Sequence, residues 1–193
     1  LKLVVAVTGA SGAIYARRTL ELLARQLADG RALEVDWVAS STAAQVWEAE
    51  LGEPLPTAIP PLRRWDRLDF RAPFASGSSP ADAVLVMPCS MSTLARVAHG
   101  GGDDLLARAC EVALKERRRL ILVVRETPLS LVHLRNMVAA TEAGAIVLPA
   151  VPSFYAGIRT LEQAVDSVVT RALDHAGVRL DVLPRWGEEV AHA

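Results

Sequence analysis

The chain has 193 residues, a formal charge of −1, and 51% hydrophobic against 22% charged residues. That length suits one domain able to bury a sizeable core, and the near-neutral balance excludes the electrostatic footprint of a nucleic-acid or anionic-membrane binder. Two cysteines without close cysteine neighbours, Cys89 and Cys110, exclude a disulfide framework or zinc knuckle and read as small hydrophobes in a reduced compartment.

The opening LKLVVAV has an apolar run shorter than a signal-peptide core and leads straight into TGASGA rather than a cleavage site. No stretch reaches transmembrane length. The expected location is the cytoplasm, and the missing Met points to a trimmed or incomplete start. A first strand over Leu3–Val7 precedes a helix from about Gly12 to Ala28, with Ala16, Leu20, Leu23 and Leu27 on one face. Leu33–Val38 alternates with Glu34 and Asp36, as a strand near a sheet edge does, and a helix follows over Ala43–Leu51. The Pro-, Gly- and Ser-rich segment from Gly52 to Ser79 reads as irregular. Ala83–Met87 is a strand without a polar face, followed by helices over 91–98 and 104–117. A strand over 120–124, a helix over 130–142 and a strand over Ala145–Leu148 come next. The last helix starts near Thr160, where Thr160 and Gln163 form a capping box, and stops before Gly177; the tail LPRWGEE reads as irregular.

Five apolar strands separated by helices predict a doubly wound, flavodoxin- or Rossmann-like parallel sheet in a three-layer α/β/α arrangement. The expected organisation is one domain over 1–193, with a core to about 176 and a tail over 177–193. Ligands of such sheets bind beyond the carboxyl ends of the strands, so each strand end is read for chemistry.

After the first strand, TGASGA either presents helix N–H groups to a phosphate or an electron-rich ring edge, or is a tight turn capped by Ser11. Neither GxGxxG nor a Walker lysine is present. Ser40-Ser41 ends the second strand and is also read as a plain helix cap. The third ends in MPCSMSTL, whose Ser90, Ser92 and Thr93 exceed what one cap needs and suit a phosphate or polyol. The loop Ser76–Ser79 adds further small polar residues. The fourth strand ends on Arg125-Glu126, and the fifth leads toward Phe154-Tyr155. Arg108 and Lys115 lie seven apart on one helix face, where Asp104 and Glu111 give each an ordinary i,i+4 partner. Arg171 borders the apolar face of the last helix, where a snorkelling arginine is ordinary. The four histidines have no metal-ligand spacing. On these grounds the strand ends suit one phosphorylated ligand, with surplus cations for a second phosphate.

The strings VAVTGASGAIYA, FRAPFASGSS, MPCSMSTLARVAHG, LARACEVALKERRRLILVVRETPLSLVHLRNM, GAIVLPAVPSFY and LPRWGE occur in the order found in the UbiX family, and the chain resembles these flavin prenyltransferases from Val4 to about Glu188. The resemblance implies metal-independent transfer of a dimethylallyl group from dimethylallyl monophosphate to N5 and then C6 of reduced FMN. The product, prenylated FMN, is the cofactor of UbiD-type decarboxylases, including one in ubiquinone biosynthesis. It further implies FMN contacts from Gly9, Ala10, Ser11, Ser40, Ser90, Met91, Ser92, Thr93 and Arg125. Prenyl-phosphate ligands are then Arg108, Lys115, Tyr155 and Arg171, in a site completed across the subunits of a homododecamer. Ser11, Glu50, Glu126 and Lys115 are the implied catalytic residues, Glu50 and Glu126 being carboxylates placed for proton transfer.

The chain departs from the family pattern at Asp103-Asp104, at Ser92 and at AGIRT, where Ile158 replaces a usual proline. Two other readings stand beside the resemblance: a flavin-dependent cysteine decarboxylase and an FMN-binding electron carrier. The first typically carries an active-site histidine and an Asn-bearing loop, where this chain has PCSMST. Against the second stand the surplus Arg108, Lys115, Arg171 and Tyr155.

Overall fold

In the computed structural model, which describes residues 1–187, six parallel strands form one sheet in the order β3-β2-β1-β4-β5-β6. They are β1 (Lys2–Val7), β2 (Glu34–Ala39), β3 (Arg63–Trp65), β4 (Ala83–Cys89), β5 (Arg119–Val124) and β6 (Ile146–Pro149). The helices are α1 (Ala13–Ala28), α2 (Ala43–Leu51), α3 (Met91–His99), α4 (Leu105–Lys115), α5 (Leu131–Glu142) and α6 (Leu161–Ala176). Glu188 and Glu189 of the predicted tail, and His192, lie outside the described residues.

The central strands β1, β4 and β5 are buried on both faces, which is why they read as unbroken apolar runs. One core layer joins their alternate side chains to α1, α2 and α6 through Leu20, Leu23, Trp37, Trp47, Val169 and Leu173. The other joins them to α3 and α4 through Leu94, Leu105, Leu106 and Cys110, with Phe74 closing it from a 3-10 turn at Pro73–Ala75. Burial pushes both thiols up, Cys110 to about 12, so Cys89 and Cys110 are inert core atoms. Across α1 and α6, Arg18 clamps the buried Asp166 with two hydrogen bonds of 2.6 and 2.9 Å.

The count of five strands is corrected to six. Arg63–Trp65 lies inside the segment read as irregular, and it extends the sheet beyond β2. Its two arginines stay exposed, with Arg63 over the Trp65 ring at 3.9 Å and Arg64 over Trp37 at 4.9 Å. Charge on an outermost strand protects its open side, and that charge hides the strand from an apolar pattern search. The capping box at Thr160–Gln163 is present, and α6 ends at Ala176. Among the described residues no helix is long and apolar enough to cross a membrane.

Candidate flavin and prenyl-phosphate site

The strand order reverses between β1 and β4, and the loops leaving those two strands border the crevice where doubly wound sheets hold ligands. Thr8 ties the loops together. Its hydroxyl donates to the Pro88 carbonyl at 2.6 Å and accepts the Ser90 N–H at 3.0 Å. The 40–42 turn crosses so close that a Cβ on Gly9 would strike the Thr42 side chain, which explains the glycine without any appeal to backbone conformation.

The two helix N-termini beside this crevice differ. At α3, Ser90 is the cap: its Oγ accepts the Thr93 N–H at 3.2 Å and donates to Thr93 Oγ1 at 3.0 Å. The N–H groups of Met91 and Ser92 have no partner among the described residues. An exposed Ser92 hydroxyl beside two free N–H donors fits an FMN phosphate. At α1, by contrast, the donors expected for a phosphate are already taken. The Glu50 carboxylate, reaching over from α2, accepts the N–H groups of Gly12 at 2.9 Å and Ala13 at 2.7 Å. Ser11 does not cap this helix; Gly12 does, at φ 113°, and the Ser11 hydroxyl bonds Glu50 instead. Burial alone raises the Glu50 pKa, but the Ser11 hydroxyl, those two N–H groups and the charge of Arg125 outweigh it and hold Glu50 below the usual carboxylate range. Nor do Ser40 and Ser41 cap α2, whose N-cap is Thr42; Ser40 Oγ lies 3.4 Å from Thr42 Oγ1.

Arg125, half-buried at the end of β5, feels both Glu50 and Tyr15. The Tyr15 ring lies against Gly12, and burial raises its pKa against the opposing charge of Arg125, so the phenol stays neutral. Tyr15 has no signal in the sequence beyond its place in GAIYA. Arg125 and Glu126 are not an ion pair among the described residues. Glu126 is exposed, and its Oε1 accepts the Thr127 N–H at 2.9 Å.

Beyond β6 a cavity of about 410 Å³ opens beside α6. Tyr155 and Arg171 line it with Leu180, Leu183, Pro184 and Trp186. The Trp186 ring meets Tyr155 edge to face at 5.3 Å, and Arg185 forks onto Asp174 at 2.7 and 2.8 Å, fixing the tail as one wall. Arg171 has no ion-pair partner among the described residues. An unpaired guanidinium beside apolar walls suits a ligand with an anionic head and a short hydrocarbon.

Neither Arg108 nor Lys115 lines this cavity. Lys115 is the last residue of α4 and lies near the start of β5, whereas Arg125 follows that strand's end, roughly 20 Å away along six residues. Their partners also differ from the expected i,i+4 pairs. Arg108 donates to the Ala75 carbonyl at 3.0 Å and pairs with Glu111, while Lys115 pairs with Glu116. Asp104 instead caps α4 through the Ala107 N–H and binds Arg96 at 3.0 Å, so the acidic departure before this helix is locally neutralised. No group of three or more potential metal ligands occurs among the described residues.

The Flavoprotein family profile matches residues 1–173. The chain is 42% identical to the flavin prenyltransferase UbiX of Pseudomonas aeruginosa, over 97% of its own length and 95% of the relative. With the UbiX of Methanocaldococcus jannaschii it shares 39%, over 97% and 99%. Among solved structures it superposes with TM-score 0.85 on AnUbiX (PadA1) in complex with FMN and dimethylallyl pyrophosphate, at 40% identity, covering 97% and 98%. A dodecameric FMN-dependent UbiX-like decarboxylase from Escherichia coli O157:H7 matches at TM-score 0.86 and 36% identity, covering 96% and 99%. The epidermin biosynthesis protein EpiD of Staphylococcus aureus shares 19% identity at TM-score 0.53 over 79% of this chain, which is likeness of fold alone.

Proposed function

The chain belongs to the Flavoprotein family and, within it, to the UbiX flavin prenyltransferases, and on that premise we propose how its own residues transfer a dimethylallyl group from dimethylallyl monophosphate to reduced FMN. When bound, reduced FMN supplies the electron-rich N5 and C6 atoms that accept the group. The observation that carries the residue assignment is the Tyr155–Arg171 cavity, a cation without an ion-pair partner among the described residues, beside apolar walls at the carboxyl edge of the sheet.

The α3 N-terminus, through Ser90, Met91, Ser92 and Thr93, holds the FMN phosphate, while Gly9, Ala10, Ser11, Ser40 and Arg125 line the flavin. The prenyl phosphate leaves only if its developing charge is neutralised, which Arg171 and the Tyr155 hydroxyl do from one chain and Arg108 and Lys115 do from another. The allylic cation is shielded from water by the cavity's apolar wall and the Tyr155 and Trp186 rings. Ser11 passes protons to or from Glu50, whose hydrogen bonds hold its pKa below the ordinary carboxylate value. Glu126, exposed beside Arg125, is the candidate base for the proton lost on ring closure, with the released phosphate as its competitor. No metal ion has a role in this scheme.

The α5 face carries exposed Leu131, Val132, Leu134 and Val138, which supports a homo-oligomer, a homododecamer by analogy with the Escherichia coli relative. In this reading 1–176 forms the flavoprotein core and 177–193 a tail, whose Leu180, Leu183, Pro184 and Trp186 wall the prenyl cavity; the enzyme works in the cytoplasm, and prenylated FMN passes to a UbiD-type decarboxylase. Anaerobic incubation with reduced FMN and dimethylallyl phosphate tests the reaction: the flavin gains the mass of one dimethylallyl group less the proton it loses. An unchanged flavin mass with FMN demonstrably bound contradicts it.

A further inference from the structure

Among the described residues the small polar loop at Ser76–Ser79 makes no hydrogen bond to the flavin residues. It meets the end of α4 instead. A Cβ on Gly77 would collide with the Lys115 ammonium and the Glu116 carboxylate, whose Cδ is 3.0 Å from that point. Gly77 does not sit in the left-handed region, so its backbone conformation does not call for glycine; the space it leaves does. Two residues upstream, the Ala75 carbonyl accepts the Arg108 Nε–H at 3.0 Å. One short stretch, Ala75 to Gly77, therefore seats both cations of α4.

The Lys115–Glu116 pair has side-chain exposures of 49% and 34%. Pairs this exposed contribute little to stability, so folding gives no reason for its close fit over Gly77. A lysine on four rotatable bonds loses much freedom when its ammonium must meet a phosphate in one place. An ammonium has three N–H donors. Glu116 takes one and leaves two for a ligand.

We propose that Glu116 is a positioning residue: seated over Gly77, it holds the Lys115 ammonium ready for the prenyl phosphate bound by a neighbouring subunit. This rests on the reading above that Lys115 serves that phosphate.

The test uses the assembled full-length protein and the variants Glu116→Gln, Glu116→Asp, Gly77→Ala and Lys115→Ala. Turnover and KM for dimethylallyl phosphate, FMN affinity and thermal midpoint are measured for each. Glu116→Gln is expected to lower kcat about tenfold, as small misplacements of a catalytic group do, with FMN affinity and midpoint unchanged. Glu116→Asp recovers part of that loss. Gly77→Ala keeps every charge yet reproduces it, because the new methyl displaces only the tips of two flexible side chains. Unchanged or faster turnover in Glu116→Gln overturns the proposal, and so does a loss matched by a fall in midpoint, which marks Glu116 as structural. Full turnover in Lys115→Ala overturns instead the assignment of Lys115. A silent Glu116→Gln beside an inactive Lys115→Ala removes the positioning role alone.

Discussion

The carboxyl edge of the sheet and the far end of α4 both present positive charge, but they are built differently. At the edge the donors are short and fixed: two backbone N–H groups of α3, a capping serine, and loops tied by Thr8. At α4 the donors are long side chains, Arg108 and Lys115, steadied by a loop carbonyl and neighbouring carboxylates on an open surface. The first set closes on itself within one chain and is suited to keeping FMN. Among the described residues the second pairs only with Glu111 and Glu116 and does not line the Tyr155–Arg171 cavity of its own chain. A cation set that does not line its own cavity makes sense when another copy supplies the anion.

The separation can be broken by variants that strike one region only. Lys115→Ala is expected to have the largest effect, lowering turnover by at least about a hundredfold, since neutralisation of a leaving phosphate is a transition-state interaction, with FMN affinity within about twofold of wild type by fluorescence titration. Equal losses of both would mean that Lys115 belongs to the flavin region. Arg125→Ala strikes the opposite region and is expected to weaken FMN binding by about tenfold or more, the loss of a charge-assisted contact.

Glu50→Gln sharpens the contrast through pH. The folded Glu50 has a depressed pKa, so its contribution to stability is complete above the ordinary carboxylate pKa and fades as pH falls through the lower folded value. Wild type should therefore lose thermal stability more steeply than Glu50→Gln on acidification, and a parallel pair of curves would contradict the N-terminal role of that carboxylate. The smallest effect is expected of Ser90→Ala, which costs about 1 kcal/mol as a lost helix cap and weakens FMN binding several-fold, both measurable by thermal unfolding and titration.

Much of this was legible in the sequence, because buried parallel strands declare themselves as apolar runs and their carboxyl ends can then be searched. Ser90, Arg125 and Tyr155 were located that way. The Arg63–Trp65 strand was not, since an outermost strand guarded by two arginines carries no apolar signature. Glu50 posed a different difficulty: its contact with Gly12 and Ala13 spans 38 and 37 residues and depends on how α2 packs beside α1. Pairings on α4 were misread for a third reason. Spacing offered Asp104 to Arg108, but Asp104 was already committed to Ala107 and Arg96.

The central claim is that each reaction site combines the flavin edge of one chain with the α4 cations of another. Mixing Lys115→Ala subunits with Arg125→Ala subunits, reassembling them and measuring prenylation of reduced FMN tests it most directly. With FMN held below the concentration that Arg125→Ala needs for binding, each variant alone is poorly active, and the mixture should regain activity, because some interfaces then pair an intact Arg125 with an intact Lys115. A mixture no more active than its components, with mixed oligomers verified by native mass spectrometry, would contradict the shared site.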